Sequence, residues 1–220
     1  EVVKGLHVLP GIRYNYDKKD VIFDRIASGG LDTSQYVNSS MNPTQLSAAK
    51  KNLQTFKDTL YKNQYYTADA DESNLTYQLT ISYRPNQKIN AFATYSTSFR
   101  PIGVNVAGIP NVAGKPATEL AVIKPEYVTH YEFGIKSNPI EDLTLNIVYH
   151  NTDITDYQTN VQSPELNVNR GYIANADAVN VKGVELDANY RVNSKLSFFS
   201  ALTYTDGKYV KFTNAPLPLE

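Results

Sequence analysis

The chain has 220 residues, 21 basic against 22 acidic side chains for a net charge of −1, and neither Cys nor Trp. Near-neutrality removes the electrostatic footprint of a nucleic-acid binder, and no apolar run approaches the roughly 18 residues that a transmembrane helix needs. The 17 Tyr and 8 Phe point instead to strands set half-buried against an apolar medium, where aromatic side chains are favoured.

Taken in chain order, the dominant signal is two-residue alternation, the period of a strand with one greasy and one wet face. Leu6 to Tyr16 places Leu6, Val8, Pro10, Ile12, Tyr14 and Tyr16 on one side and His7, Arg13 and Asn15 on the other. Residues 18–73 then read as a long polar loop. Within it Asn42-Pro43 caps a short helix over 43–61, whose Leu46, Ala49, Leu53, Phe56 and Leu60 form one stripe. Packing on its own loop explains that stripe more simply than a partner does.

Leu75 to Arg84 restores the alternation, and Ile89 to Arg100 follows it across a tight turn, with Phe92 out of pattern on the polar side. A second long polar stretch, 101–124, precedes Tyr127 to Lys136 and, past another short turn at 138–142, Leu143 to His150. A third, 157–177, precedes Val184 to Val192, the turn Asn193-Ser194, and Leu196 to Thr205. All seven apolar faces lack a charge, as a lipid-facing surface requires, because Lys or Arg at the bilayer midplane costs about 2–4 kcal/mol. Short turns alternate with long loops, which in an antiparallel meander all emerge at one end. The expected fold is all-β: a segment of about seven strands from an antiparallel, transmembrane, up-and-down β-barrel with short periplasmic turns and long extracellular loops.

Few residues suggest chemistry. His7, His130 and His150 lie on wet faces of different strands with no metal-ligand spacing. Asp69, Asp71 and Glu72 lack the spacing and glycine of a Ca²⁺ loop. No catalytic group, metal or cofactor is expected, and a Ser/His pair drawn from abundant serines has no specificity. Arg13, Glu132, Lys136, Glu185, Asp187 and Arg191 are sufficiently explained as the lining of an aqueous lumen. Gly11, Gly134 and Gly183, also on polar faces, suggest close approach of another backbone. The ligand contacts to be tested are Arg100, at the outer end of its strand and suited to an anion such as a ferric chelate, with His130 and Glu132.

A set of dispersed motifs carries a resemblance: Pro10-Gly11-Ile12-Arg13-Tyr14; Tyr95 through Phe99-Arg100-Pro101; Lys124-Pro125-Glu126; Tyr131-Glu132-Phe133-Gly134-Ile135-Lys136; Asp156-Tyr157-Gln158; Lys182-Gly183-Val184-Glu185-Leu186; and Tyr204-Thr205-Asp206. In this order and spacing they resemble the C-terminal half of the barrel of TonB-dependent outer-membrane receptors. The resemblance implies a 22-strand barrel in the bacterial outer membrane, in contact with its lipid. An N-terminal plug would close it and couple it to the TonB-ExbB-ExbD complex. No enzyme activity is implied. The implied cargo is first a ferric siderophore, with glycan, peptide and cobalamin open, and a surface lipoprotein over the loops is a further partner left open. Residues 1–220 then form a partial barrel. Any export signal, the plug and the terminal strand lie elsewhere, since Ala215 to Glu220 is unlike the family's aromatic-terminated last strand. Seven strands alone leave two open edges, so these residues by themselves are expected to aggregate. A passive porin or adhesin and a soluble β-sandwich carbohydrate binder are the rival readings.

Overall fold

The computed structural model describes residues 3–26, 32–60, 62–162 and 171–213; the expectations for Ala215 to Glu220, and those parts of the long loops at 27–31, 61 and 163–170, lie outside them. Seven long strands make one antiparallel sheet: β1 (Leu6–Arg25), β2 (Gln64–Asn86), β3 (Ile89–Arg100), β8 (Glu126–Ser137), β9 (Leu143–Gln162), β10 (Gly171–Asn193) and β11 (Leu196–Lys211), in that spatial order. Four two-residue strands lie between β3 and β8: β4 (Gly103–Val104) pairs with β7 (Val122–Ile123), and β5 (Asn111–Val112) with β6 (Lys115–Pro116). Among the described residues no helix is long and apolar enough to cross a membrane.

The register turns the alternation of each strand into continuous rows. Val8, Ile81, Ala93, Phe133, Tyr149, Val184 and Tyr204 face one another across all seven strands. So do Leu6, Tyr83, Ala91, Ile135, Ile147, Leu186 and Leu202. This face is apolar yet uncovered: Ile12 is 76% exposed and Phe133 52%. The apolar run spans nine residues on β11 (Leu196–Tyr204) and eleven on β1 (Leu6–Tyr16). At about 3.4 Å per residue and a tilt of about 40° this is roughly 21–26 Å, matching a lipid band about 25 Å tall. Tyr77, Tyr95 and Tyr131, with ring centroids 5.9 and 5.0 Å apart, lie toward its upper limit. Beyond it the same face turns polar at Asn151, Asp153, Asn180, Lys182, Asp206 and Lys208.

At the lower end the short turns repeat one device. Asn86 accepts from Lys88 N and Asn193 from Lys195 N, each at 2.8 Å, so an Asn side chain stands in for a turn carbonyl. The turns are also tied to one another: Asn138 N donates to Lys88 O at 2.8 Å, and Arg191 binds the Asp142 carboxylate and, through its backbone N–H, the Asp142 carbonyl.

The strands run well past the alternating segments, and the long stretches at 18–73 and 157–177 are correspondingly shorter as loops. Residues 18–25 and 64–73 continue β1 and β2, and 157–162 and 171–177 continue β9 and β10. Above the lipid band the outer face is wet and the inner face is covered, so Gln64, Tyr66 and Ala68 are buried while Tyr65, Thr67 and Asp69 are exposed, and the alternation reverses its sense as the ladder continues. Between β1 and β2, α1 (Pro43–Leu60) starts on a capping box: Gln45 N donates to Asn42 Oδ1 at 2.9 Å and Asn42 N to Gln45 Oε1 at 3.1 Å. Proline at the first helical position costs no hydrogen bond there.

Candidate functional site

Opposite the apolar face, the even positions of β2, β3 and β8 and the odd ones of β1 present polar side chains. Residues 101–124 do not stand up from the sheet; they fold back as a strap across this polar face. Every side chain that grips the strap from β1 and β2 has the polar-face parity. On one flank, Lys19 Nζ donates to Ile102 O, Glu72 Oε1 accepts Ile102 N at 2.7 Å, and Tyr66 Oη donates to Asn105 O. The Gln64 amide pairs with both backbone groups of Ile109, at 2.6 and 3.0 Å, as a neighbouring strand would.

On the other flank, Gln158 Nε2 donates to Pro101 O and Lys124 O, both at 3.0 Å, and its own N–H is accepted by Glu126 Oε2 at 2.9 Å. One amide thus joins the two feet of the strap. Asn175 accepts Lys124 N at 3.1 Å and returns a bond to Lys124 O at 3.0 Å. At the centre Asn105, 2% exposed, donates to Leu120 O and Ile173 O and accepts Ile173 N at 2.9 Å. Tyr66, Ala68, Ile109 and Ala121 form the apolar core beneath. Burial raises the Tyr66 hydroxyl above its ordinary pKa, consistent with a neutral donor to the strap.

The polar face below the strap holds the residues expected to meet ligand. His130 and Glu132 come together, with Nε2 3.8 Å from Oε2, and the His130 Nδ1 shares a 2.8 Å hydrogen bond with Thr152 Oγ1. His150 faces Glu132 across the ladder and stacks on His130 with centroids 6.4 Å apart. Arg100 is on the same face, exposed, opposite the buried Glu126. Its register lies four residues beyond that of His130, about 13 Å along the strand, so the three candidates do not form one cluster. The Arg100 side chain makes no hydrogen bond or ion pair among the described residues, its backbone being part of the β3–β8 ladder. Among those residues no group of three metal-ligating side chains converges, and strand parity splits the acidic run, with Asp69 and Asp71 on one face and Glu72 on the other.

Two glycines on the polar face have neighbours within the sheet itself. A Cβ on Gly134 would lie 2.5 Å from the Phe92 ring, and one on Gly183 would lie 2.6 Å from His150 Nε2 and 2.5 Å from Tyr204 O. Each glycine makes room for a ring or backbone on an adjacent strand, which also explains Phe92 on the wet side. For these two, a neighbour from outside the sheet is not needed. Gly11 meets only Gln78 Cβ at 3.8 Å. Asn105, Gln64, Gln158 and Asn175 were not legible as site residues, because an Asn or Gln in a polar stretch carries no signal of which backbone it will grip.

Comparison with known proteins agrees with this architecture. The family description "TonB dependent receptor-like, beta-barrel" matches residues 2–219. A curated relative, the probable TonB-dependent siderophore receptor PiuA of Acinetobacter baumannii, is 25% identical over 146 residues, covering 66% of this chain and 19% of its own. Among solved structures, the ferric yersiniabactin uptake receptor FyuA from Yersinia pestis superposes with a TM-score of 0.63 at 16% identity over 97% of this chain and 25% of its own. The copper transporter OprC gives 0.64 at 14% over 94% and 28%. The chain spans between 19% and 28% of the length of these relatives. With its seven-strand sheet, lipid-matched apolar band and family match over nearly its whole length, this chain belongs to the TonB-dependent receptor β-barrel family of the bacterial outer membrane.

Proposed function

We propose that this segment is part of the wall of an active importer of a scarce nutrient, with a ferric siderophore as cargo, driven by proton-motive force through the TonB-ExbB-ExbD complex acting on a plug. The family match over residues 2–219 carries the receptor reading; the name of the A. baumannii relative supports the siderophore. Copper-transporter and hemophore-receptor structures share the fold, so the cargo rests on the weaker of the two supports. Membership in a family of transport receptors sets an enzymatic reading aside.

In this proposal the long loops face outward, capture begins at the loops, and Arg100, His130 and Glu132 touch cargo on the lumen side. Arg100 suits an anionic chelate because it is exposed and makes no described ion pair. His130 and Glu132 offer a hydrogen-bonding pair deeper in. The test is uptake of labelled tricatecholate and trihydroxamate ferric siderophores by cells with and without the parent receptor, each with and without an uncoupler. Receptor-dependent, uncoupler-sensitive uptake is the expected result. Uncoupler-insensitive entry points to a passive porin, and receptor-independent uptake of every chelate removes iron as the cargo.

A further inference from the structure

We infer that the strap, residues 101–124, is a fixed constriction of the barrel mouth, past which cargo moves without displacing it. The inference rests on the importer reading for the word cargo, but its structural content is independent of what is carried.

The physical argument is that a movable flap needs alternative partners for the groups it lets go, and this segment has committed its backbone to the wall. Ile102 and Ile109 each have both backbone groups bound by side chains of β1 or β2. Asn105 does the same for Ile173 of β10, and Gln158 joins the two ends. Swinging the strap out would break these bonds together and expose Ile109 and Ala121, now 6% and 1% exposed. Buried amides left without partners are costly, so release would be concerted and rare.

The strap also spans the sheet. It leaves from β3, binds β1 and β2 on one side and β9 and β10 on the other, and so ties together strands three to five places apart in the spatial order. A segment so placed acts as a brace on the wall as well as narrowing its polar side. Its tip is a β5–β6 hairpin turning at Ala113-Gly114, both with positive φ. That tip leaves Val112 63% exposed.

Two experiments on the full-length parent receptor test this. Gln64→Cys with Ile109→Cys puts two thiols at the amide clamp, and the fraction of chains bridged on oxidation is measured by thiol labelling before uptake is compared. Cells carrying the double variant are assayed with whichever of the tricatecholate or trihydroxamate ferric chelates the parent imports. Equal uptake by the oxidised and reduced forms is expected; uptake that stops on oxidation and returns with reductant would overturn the inference. Separately, spin labels on Ile22→Cys and Val112→Cys, both exposed in the native chain, report the distance from strap tip to wall. A single narrow distribution, unmoved by the chelate, is expected, whereas a second population or a ligand-induced shift overturns it. If the parent imports neither chelate, the siderophore reading falls while the spin-label distance without ligand still decides the strap.

Discussion

Gln158 concentrates several bonds in one side chain: its amide N–H groups reach Pro101 O and Lys124 O, and its backbone N–H reaches Glu126. Gln158→Leu leaves two carbonyls without that donor and is expected to cost about 2 kcal/mol or more locally. Hydrogen exchange at the strap amides should then accelerate by roughly 30-fold; unchanged protection would show that the clamp is dispensable. Gly183→Ala drives a Cβ into Tyr204 O and His150 Nε2, with backbone on one side unable to yield. A loss of about 1–3 kcal/mol is expected, read as a lowered unfolding midpoint in detergent, while Gly11→Ala, with only Gln78 Cβ nearby, serves as the tolerated control. Asp177, above the lipid band, accepts Thr213 N at 2.6 Å, and this bond holds its carboxyl below the ordinary range. A depressed folded pKa gives a contribution present above the unfolded value of about 3.9 and lost as pH falls through the folded one. Fraying of the end of β11 should therefore begin only below about pH 4, and Asp177→Asn should remove that step from the acid titration of Thr213 protection.

At the scale of elements, the seven strands were legible because one face is held apolar by lipid, which purges charge from every second position. Phe133→Arg on that face should destabilise the folded barrel by about 2–4 kcal/mol, and Thr94→Arg on the polar face by much less. Refolding yield into vesicles across a urea series separates the two; equal sensitivity would contradict the assignment of faces. The upper reaches of β1, β2, β9 and β10 escaped notice because there the outer face meets water and the inner face meets the strap, which reverses the sense of the alternation while the backbone ladder continues. The helix at 43–60 was legible from Asn42-Pro43 and its stripe. Its described contacts are with the turn at Thr33–Gln35, through Gln54 and Lys50; Leu46, Ala49 and Leu53 are half-buried and Phe56 is 52% exposed. The stripe is thus only partly covered by its own loop.

At the scale of the molecule, β1 and β11 each have a neighbour on one side only among the described residues, and the apolar band is exposed. The 220 residues alone in detergent-free buffer are therefore expected to aggregate; a soluble monomer in sedimentation would refute this. The seven long strands, the two faces, the short turns, the loop helix and, through motifs such as Lys182-Gly183-Val184-Glu185-Leu186, the family can be read from the residues in order, because strand period and lipid exposure act on each residue locally; the four two-residue strands carry no such period. Packing in three dimensions sets the rest: 101–124 folds inward, Gln64, Asn105, Gln158 and Asn175 hold it, Gly134 and Gly183 yield space to Phe92 and His150, and Arg100 stands apart from the His130–Glu132 pair. Those outcomes depend on which side chains the register brings together across strands distant in the chain, and an amide written in a polar stretch does not specify the backbone it will meet.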